Sequence, residues 1–368
     1  AQAPLAQEAV SSFYLLLNRT GSSRVRAHLE QWFRHFQTIY GDTAIAARRE
    51  AEALARHYGL WGAGVDVPAL FFALHTYYVT VVKLLALRVA GAVAFSQSGT
   101  DPTRVAGLGS EALREYLWEN LAEGRLFRTC GLRHFHEGDF FNWYLEAWDP
   151  TLARVLSRMV AALAAYPPEA LAAGPRAYPD LLKRLYQQLV PAALRHRLGE
   201  YYTPDWLAEH LLNRLEGGTF PGNLEKKVLD PACGSGTFLV LVIGRMKAHG
   251  LTVERLPAGR LLERILENVV GFDPNPLAVI AARTNYLLAI ADLLPYRGEE
   301  IVIPVYRVDA ILNPPSQSFD YVVGNPPWIN WESLPEDYRT ETRLLWQYYG
   351  LFPHGGMDAI LGKGKKDL

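Results

Sequence analysis

Hydrophobic and polar positions divide the chain into two parts with different periodicities. From residue 7 to about residue 198, apolar residues recur at the spacing of amphipathic helices. Glycine and proline clusters such as Gly62-Ala63-Gly64 and Pro167-Pro168 separate these segments. Helices are predicted over residues 25–40, 43–57, 67–94, 110–123, 150–165 and 179–198. We therefore expect an N-terminal α-helical domain at residues 1–197.

After residue 198, short runs of β-forming residues alternate with helical patterns. The first run ends at Asp230, and further strands are predicted over residues 268–272, 301–308 and 319–324. Helices are predicted over residues 238–249, 259–267, 276–291 and 337–349. This alternation predicts an α/β fold with a parallel sheet, which we assign to a second domain at residues 198–368.

A helix start is predicted at the beginning of this second part. Thr203 is suited to the N-cap and Pro204 to the first helical position. One apolar face of the helix is then expected to hold Leu207, Leu211, Leu212 and Leu215. Taken alone, the segment is equally consistent with a well-capped helix that has no further role.

A glycine-containing turn after the first strand is a candidate cofactor site. Gly234 and Gly236 permit positive φ and a close approach of the backbone to a ligand. The helix that follows directs unpaired N–H groups toward the same place. A dinucleotide-binding turn would have a third glycine where this chain has Leu239, which disfavours NAD.

Asp273 ends the second predicted strand. A carboxylate at this place in a nucleotide-binding α/β unit accepts hydrogen bonds from both ribose hydroxyls. The alternative is a turn aspartate in Asp273-Pro274-Asn275-Pro276, in which Asn275 and Pro276 begin the next helix. We favour ribose binding.

Three segments resemble the motifs of one enzyme family. Asp230-Pro231-Ala232-Cys233-Gly234-Ser235-Gly236-Thr237-Phe238 resembles motif I of the S-adenosylmethionine (SAM) dependent amino-methyltransferases. Gly199-Glu200-Tyr201-Tyr202-Thr203-Pro204 resembles motif X, and Asn325-Pro326-Pro327-Trp328 resembles motif IV. The motifs follow the order X, I, II, III, IV over about residues 198–330. This order is similar to that of gamma-type N6-adenine DNA methyltransferases of type I, type IIG or phage-defence systems.

The resemblance implies a fold and a set of site residues. The fold would be an N-terminal helical domain followed by a Rossmann-like SAM-dependent methyltransferase domain. The implied catalytic residues are Asn325, Pro326, Pro327 and Trp328. The implied SAM-binding residues are Tyr202, Thr203, Pro204, Asp230, Pro231, Ala232, Gly234, Gly236, Thr237, Phe238, Asp273, Pro274, Asp309, Ala310 and Asn325. At the family position of Asp309, a carboxylate accepts from the adenine amino group of the cofactor.

The N-P-P-W segment has side chains suited to methylation of an amino nitrogen. The amino nitrogen of adenine is a poor nucleophile because its lone pair is delocalised into the ring. The Asn325 side-chain oxygen and the Pro326 carbonyl would accept its two N–H groups and favour a tetrahedral nitrogen. Trp328 offers a flat face for a base rotated out of the duplex. The expected partner is double-stranded DNA with the target adenine flipped out.

Other substrates and roles remain open at this stage. Cytosine C5 methylation needs a cysteine nucleophile, and the chain has no Pro-Cys dipeptide. Cytosine N4 enzymes of the resembling family more often have Ser in place of Asn325, which favours adenine N6. Methylation of protein glutamine or RNA remains an enzymatic alternative. A non-catalytic interaction module of a defence complex is the alternative from a different class.

Composition limits the compartment and the partners. The chain has 368 residues, 49% of them hydrophobic, enough for two domains. Its formal net charge of -1 means that DNA contact would depend on a local basic patch. The arginines of the helical part are more simply explained as solvated surface. The two cysteines offer no disulfide framework, so we expect a reducing compartment, the prokaryotic cytoplasm.

Membrane and metal roles are disfavoured. Lys83 and Arg88 interrupt the apolar region at residues 77–95, which predicts a buried helix and no membrane partner. One group of metal-capable side chains has no paired ligand spacing, so we expect no metal site there. It comprises Cys130, His134, His136, Glu137 and Asp139.

The resemblance ends soon after Trp328. Four strands of the sheet are predicted, whereas the resembling family has seven, and its later motifs have no counterpart here. We therefore expect a C-terminally truncated methyltransferase domain whose last strand is an exposed edge. A target-recognition region or a specificity subunit would have to come from elsewhere, and this chain alone is expected to lack sequence-specific binding and turnover.

Overall fold

The structure is a computed structural model. It describes residues 3–40, 48–60, 64–94, 105–135, 140–165, 181–190, 192, 195, 202–329, 331 and 334–351. The first three residues of the motif X segment and the predicted boundary at residue 197 lie outside the described residues. So do His136, Glu137 and Asp139 of the metal-capable group.

The N-terminal part is helical, as the apolar periodicity predicts. Its helices are α1 Ala3–Arg19, α2 Ser23–Tyr40, α3 Arg48–His57, α4 Val67–Ala94, α5 Ser110–Leu117, α6 Arg125–Thr129, α7 Pro150–Ala164 and α8 Leu181–Leu189. The helix predicted over residues 110–123 is α-helical only to Leu117 and continues as a π-helix, Trp118–Ala122. A short strand, β1 Leu132–Arg133, was not predicted.

Helix α4 is the core helix of this part. It is apolar on all sides, as expected for a helix packed on every face. The segment Val67–Ala92 has the length and hydropathy of a membrane span, and its most apolar stretch is buried within the protein. A core helix meets the same criteria, so this is weak evidence for a membrane. The buried Lys83 ammonium donates a hydrogen bond to Asn142 Oδ1 at 2.9 Å.

A four-stranded parallel sheet forms the second part. Its strands are β2 Val228–Asp230, β3 Val269–Phe272, β5 Val305–Tyr306 and β6 Tyr321–Val322, in the order β5-β3-β2-β6. A separate strand, β4 Ile301–Val302, pairs in parallel with β1. The helices of this part are α9 Asp205–Arg214, α10 Thr237–Thr252, α11 Ala258–Asn268, α12 Pro276–Ile290 and α13 Glu336–Tyr348.

Three local sequence predictions are wrong. The strand predicted over residues 301–308 is split, because Pro304 has no N–H to donate and the chain changes partner there, from β1 to β3. Helix α9 begins one residue later than predicted, with Pro204 at the N-cap and no side-chain cap. Its buried residues are Ala208 and Leu212, whereas Leu207 and Leu211 are exposed.

The helical part and the sheet are packed together. Helix α4 lies against α12, and the buried apolar residues of both parts form one continuous cluster. Val228 and Val269 belong to that cluster, while Leu229, Val270 and Phe272 form a small one of their own. Neighbouring positions on a strand point to opposite faces of the sheet. Val228 and Val269 therefore face the main core on the helical side, and the residues of the small cluster face the other side.

Candidate active site

The strand order places both predicted loops at one crevice. Strands β3 and β5 lie on one side of β2, and β6 lies on the other. The strand order therefore reverses its direction at β2. In open parallel sheets, the loops on the two sides of such a reversal leave a crevice at the carboxyl ends of the strands, and ligands bind there. The glycine turn follows β2 and the N-P-P-W segment follows β6. The two segments therefore emerge side by side.

The glycine turn has the backbone conformation that its sequence predicts. Gly234 has φ of +54° and Gly236 has φ of +91°, a region that side chains disfavour. The Gly236 N–H donates to the Cys233 carbonyl at 2.8 Å, and α10 begins directly afterwards. A Cβ at Gly234 would meet nothing within 4 Å. The turn thus presents bare backbone to open space at a helix N-terminus.

Asp273 connects the glycine turn to the end of β3. Its Oδ2 accepts from the Gly234 N–H at 2.9 Å, and its Oδ1 accepts from the Asn275 N–H at 2.8 Å. A carboxylate has about four acceptor positions, so two remain after these bonds. Asp273 therefore supports the turn itself and keeps capacity to accept ligand hydroxyls.

The Asp230 carboxyl lies under the start of the N-P-P-W segment. A Cβ added at Gly324 would be 2.6 Å from Asp230 Oδ1. The Val323 N–H also donates to the Leu229 carbonyl at 2.9 Å, which continues the pairing of β6 with β2. Asp230 Oδ1 accepts from the Ala232 N–H at 3.2 Å. Asp230 of motif I therefore packs closely against Gly324, the residue directly before the N-P-P-W segment.

Burial raises the pKa of both carboxyl groups. Desolvation raises the pKa of Asp230 to about 8, with a smaller contribution from the charge of Asp273. Desolvation also raises the pKa of Asp273 to about 6, although its bonds from the Asn275 and Gly234 N–H groups oppose the shift. The pKa of the Cys233 thiol is raised as well, chiefly by burial. Burial thus disfavours the charged form of both carboxyl groups, and a cationic ligand in the crevice would favour it.

The N-P-P-W segment is open to solvent. Pro326 and Pro327 are exposed, and Trp328 is 59% exposed. The Trp328 indole Nε1 donates to Asn325 Oδ1 at 2.9 Å. This bond fixes which way the Asn325 amide faces.

Asp309 and Ala310 follow β5 at the same edge. Asp309 Oδ1 accepts from the N–H groups of Ile311 and Leu312, at 2.8 and 3.2 Å. The Tyr338 hydroxyl of α13 also bonds to Asp309. Burial is the main cause of the raised pKa of Tyr338, and Asp309 adds to it. Ala310 packs beside the small apolar cluster of the sheet. Pro274 is exposed at the neighbouring turn.

Lys183, which was not predicted as a site residue, connects the motif X segment to the glycine turn. Tyr202 and Thr203 are half-buried, and the Thr203 carbonyl accepts from the Lys183 ammonium at 3.0 Å. The same ammonium lies 3.5 Å from the Thr237 hydroxyl. No pattern in the sequence distinguishes Lys183 from an ordinary surface lysine on an amphipathic helix. Phe238, the next predicted cofactor residue, is buried in the main core.

No group of three or more metal-capable side chains converges anywhere in the described part of the chain.

Comparisons with known proteins show similarity to one family. Residues 177–359 match the family described as N-6 DNA Methylase. The chain is 30% identical over 183 residues to the type I restriction enzyme MjaVII methylase subunit of Methanocaldococcus jannaschii, covering 48% of this chain and 27% of that protein. The MjaIX methylase subunit of the same organism is 27% identical over 148 residues, which are 38% of this chain and 22% of that protein.

A third relative is described as adenine-specific. It is the methyltransferase PglX of Streptomyces coelicolor, 36% identical over 110 residues, covering 28% of this chain and 9% of that protein. The chain thus matches about a quarter, or less, of the length of these relatives. All three matches and the family segment agree with the motifs in the sequence. Residues 177–359, just under half of the chain, are therefore similar to the N-6 DNA methylase family.

Proposed function

We propose that this chain carries the catalytic core of a DNA adenine-N6 methyltransferase that uses SAM, within a restriction-modification or phage-defence system. The observation that carries the proposal is the contact of Asp230 with Gly324. It brings the open glycine turn and the N-P-P-W segment to the same crevice. The strand order β5-β3-β2-β6 supports a Rossmann-like methyltransferase domain.

The residues of the crevice fit SAM. Gly234 presents backbone where a side chain would fill the space, and buried Asp230 and Asp273 suit a ligand with positive charge. Asp273 would accept from the ribose hydroxyls, and Asp309 would accept from the adenine amino group of the cofactor. When bound, SAM supplies a methyl group activated by its positively charged sulfur.

The protein residues would act mainly by positioning the target base. Asn325 Oδ1 and the Pro326 carbonyl would accept the two N–H groups of the adenine amino nitrogen, directing its lone pair at the methyl carbon. Trp328 would stack on the base after it leaves the duplex. With SAM bound, the adenine nitrogen held by Asn325 and Pro326 would take the methyl group as the C–S bond of SAM breaks, and its surplus proton would pass to water. No strong base is required.

The test is product analysis with methyl-labelled SAM. The chain, supplied with the target-recognition region or specificity subunit proposed below, is incubated with duplex DNA at low ionic strength, which strengthens DNA binding, and the DNA is then digested to nucleosides. The proposal predicts label in N6-methyladenine and none with the Asn325→Ala variant. Label in RNA or in protein glutamine would favour the alternative enzymatic function. Failure of the chain to bind SAM would favour a non-catalytic interaction module.

We further infer a prokaryotic cytoplasmic location, since the proposed substrate is the DNA of the cell. A target-recognition region or a specificity subunit is the proposed additional partner, because the chain matches only part of the length of its relatives.

A further inference from the structure

One buried cation joins the helical part of the chain to the candidate site. Lys183 lies on α8, and its side chain is only 6% exposed. Its Nζ donates to the Thr203 carbonyl at 3.0 Å and to Asp205 Oδ1. The Thr237 hydroxyl lies 3.5 Å away. A single ammonium therefore touches the motif X segment, the first turn of α9 and the first residue of α10.

The Lys183 ammonium needs the Asp205 carboxylate as its partner. An ammonium group with so little exposure is strongly destabilising unless it is paired and hydrogen-bonded. The first turn of α10 adds to that effect, because the N–H groups at a helix N-terminus carry partial positive charge. The Asp205 carboxylate compensates both, and it lies in the first turn of α9, where an acidic side chain is favourable. The ion pair thus fixes α9 relative to α10.

The same ion pair sets the position of the backbone beside the glycine turn. Thr237 follows Gly236 directly, and the backbone of Gly234 faces open space. The Thr203 carbonyl is held on the other side of the Lys183 ammonium. The distance between the motif X segment and the turn is therefore determined by a side chain from a helix outside the sheet.

We propose that Lys183 is a positioning residue of the cofactor site. Its ion pair with Asp205 holds the Thr203-Pro204 segment against the start of α10, so that a methyl-donor cofactor at the turn is enclosed on this side. The helical part is then needed for cofactor binding. This inference rests on the proposed function and extends it to α8.

The test compares charge variants with a matched control. Lys183→Met keeps the length of the side chain and removes its charge, and Lys183→Arg restores a cation. The control is Lys247→Met, at the opposite end of α10, where Lys247 donates to the Ala289 carbonyl at 3.0 Å and pairs with Asp292. The SAM dissociation constant is measured by calorimetry at a temperature where circular dichroism shows each variant folded. The unfolding midpoint is recorded in parallel.

We expect Lys183→Met to weaken SAM binding at least about tenfold, which corresponds to about 1.4 kcal/mol. Lys183→Arg should recover most of the affinity, and Lys247→Met should leave it unchanged. A Lys183→Met protein that is less stable but binds SAM like the wild type would overturn the proposal and assign Lys183 a structural role. If Lys183→Met does not fold, Asp205→Asn is measured against the same expectation. Absence of SAM binding by the wild type would instead contradict the proposed function and this inference together.

Discussion

The Asp230 carboxyl occupies the space that a side chain at Gly324 would need. Asp230 ends β2 and Gly324 follows β6, and the two strands pair in parallel with Leu229 opposite Val322. A Cβ at Gly324 would also lie 3.5 Å from Cδ of Pro231. The glycine is therefore required by a neighbouring loop, although its own backbone does not have positive φ. Motif I therefore packs against the residue directly before the N-P-P-W segment.

Gly324→Ala should displace the Asp230 carboxyl or the N-P-P-W segment. Overpacking of this kind is destabilising by about 1–3 kcal/mol, and we expect weaker SAM binding in addition. Thermal unfolding and a SAM titration measure the two effects. Gly298→Ala is the control, because a Cβ there meets nothing within 4 Å and the glycine does not have positive φ. Equal behaviour of the two variants would contradict the contact.

The contribution of Asp230 to the stability of the ligand-free chain should fall as pH rises between about 4 and 8, whereas buried His75 and Lys83, whose pKa values are lowered by burial, act in the opposite direction. Asp230 has a pKa raised to about 8 in the folded state, so the folded chain binds more protons than the unfolded chain in this window. One such group changes the free energy of unfolding by up to about 1.4 kcal/mol per pH unit. Asp273, with a pKa of about 6, adds to the slope in the lower half of the window.

The pH effect is measured by denaturant unfolding from pH 5 to pH 9. The stability of the wild type relative to Asp230→Asn should fall between pH 6 and pH 8, because the amide does not titrate. A difference between the two proteins that stays constant or rises with pH would show that the pKa of Asp230 is not raised in the folded chain.

Substitution of Asp273 should loosen the glycine turn before any ligand binds. Asp273→Ala removes the acceptors of two backbone N–H groups, at Gly234 and Asn275, and we expect a loss of about 1–3 kcal/mol in unfolding free energy. Hydrogen exchange of the Gly234 amide should accelerate more than that of amides in α12. Asp292→Ala serves as the surface control. Unchanged exchange at Gly234 would mean that the turn holds its shape without Asp273.

The Trp328 N–H and the Trp328 ring should contribute separately to methyl transfer. Trp328→Phe keeps an aromatic face and removes the bond to Asn325, so we expect the single-turnover rate to fall by a factor of about 5, equivalent to about 1 kcal/mol. Asn325→Ala should abolish transfer and leave the SAM dissociation constant nearly unchanged. A parallel loss of SAM binding in Asn325→Ala would contradict its assignment to the target base.

Local chemistry in the sequence was sufficient to predict part of this structure. Asn275 caps α12 and Pro276 is its first residue, as predicted, because both preferences depend only on neighbouring backbone groups. The positive φ angles of Gly234 and Gly236 follow from the same kind of local constraint. The strand predicted over residues 301–308 is instead split at Pro304. The missing N–H of this proline was a signal in the sequence that the prediction did not use.

Contacts between residues that are distant in the sequence could not be predicted from local chemistry. Thr203 does not cap α9, and its carbonyl instead bonds Lys183, twenty residues earlier in the chain. The packing of Asp230 against Gly324 depends on the strand order, which no single segment encodes. The resemblance to known motifs therefore identified the segments, while the arrangement of their side chains required the fold.

The central claim is that the glycine turn and the N-P-P-W segment form one SAM site. It is tested most directly by fluorine NMR of the chain labelled with fluorotryptophan, in which the Trp328 signal is assigned from its absence in Trp328→Phe. The account predicts that SAM shifts the Trp328 signal and that Gly234→Val, which fills the open space at the turn, abolishes the shift. SAM binding that leaves the Trp328 signal unmoved, or that persists unchanged in Gly234→Val, would contradict it.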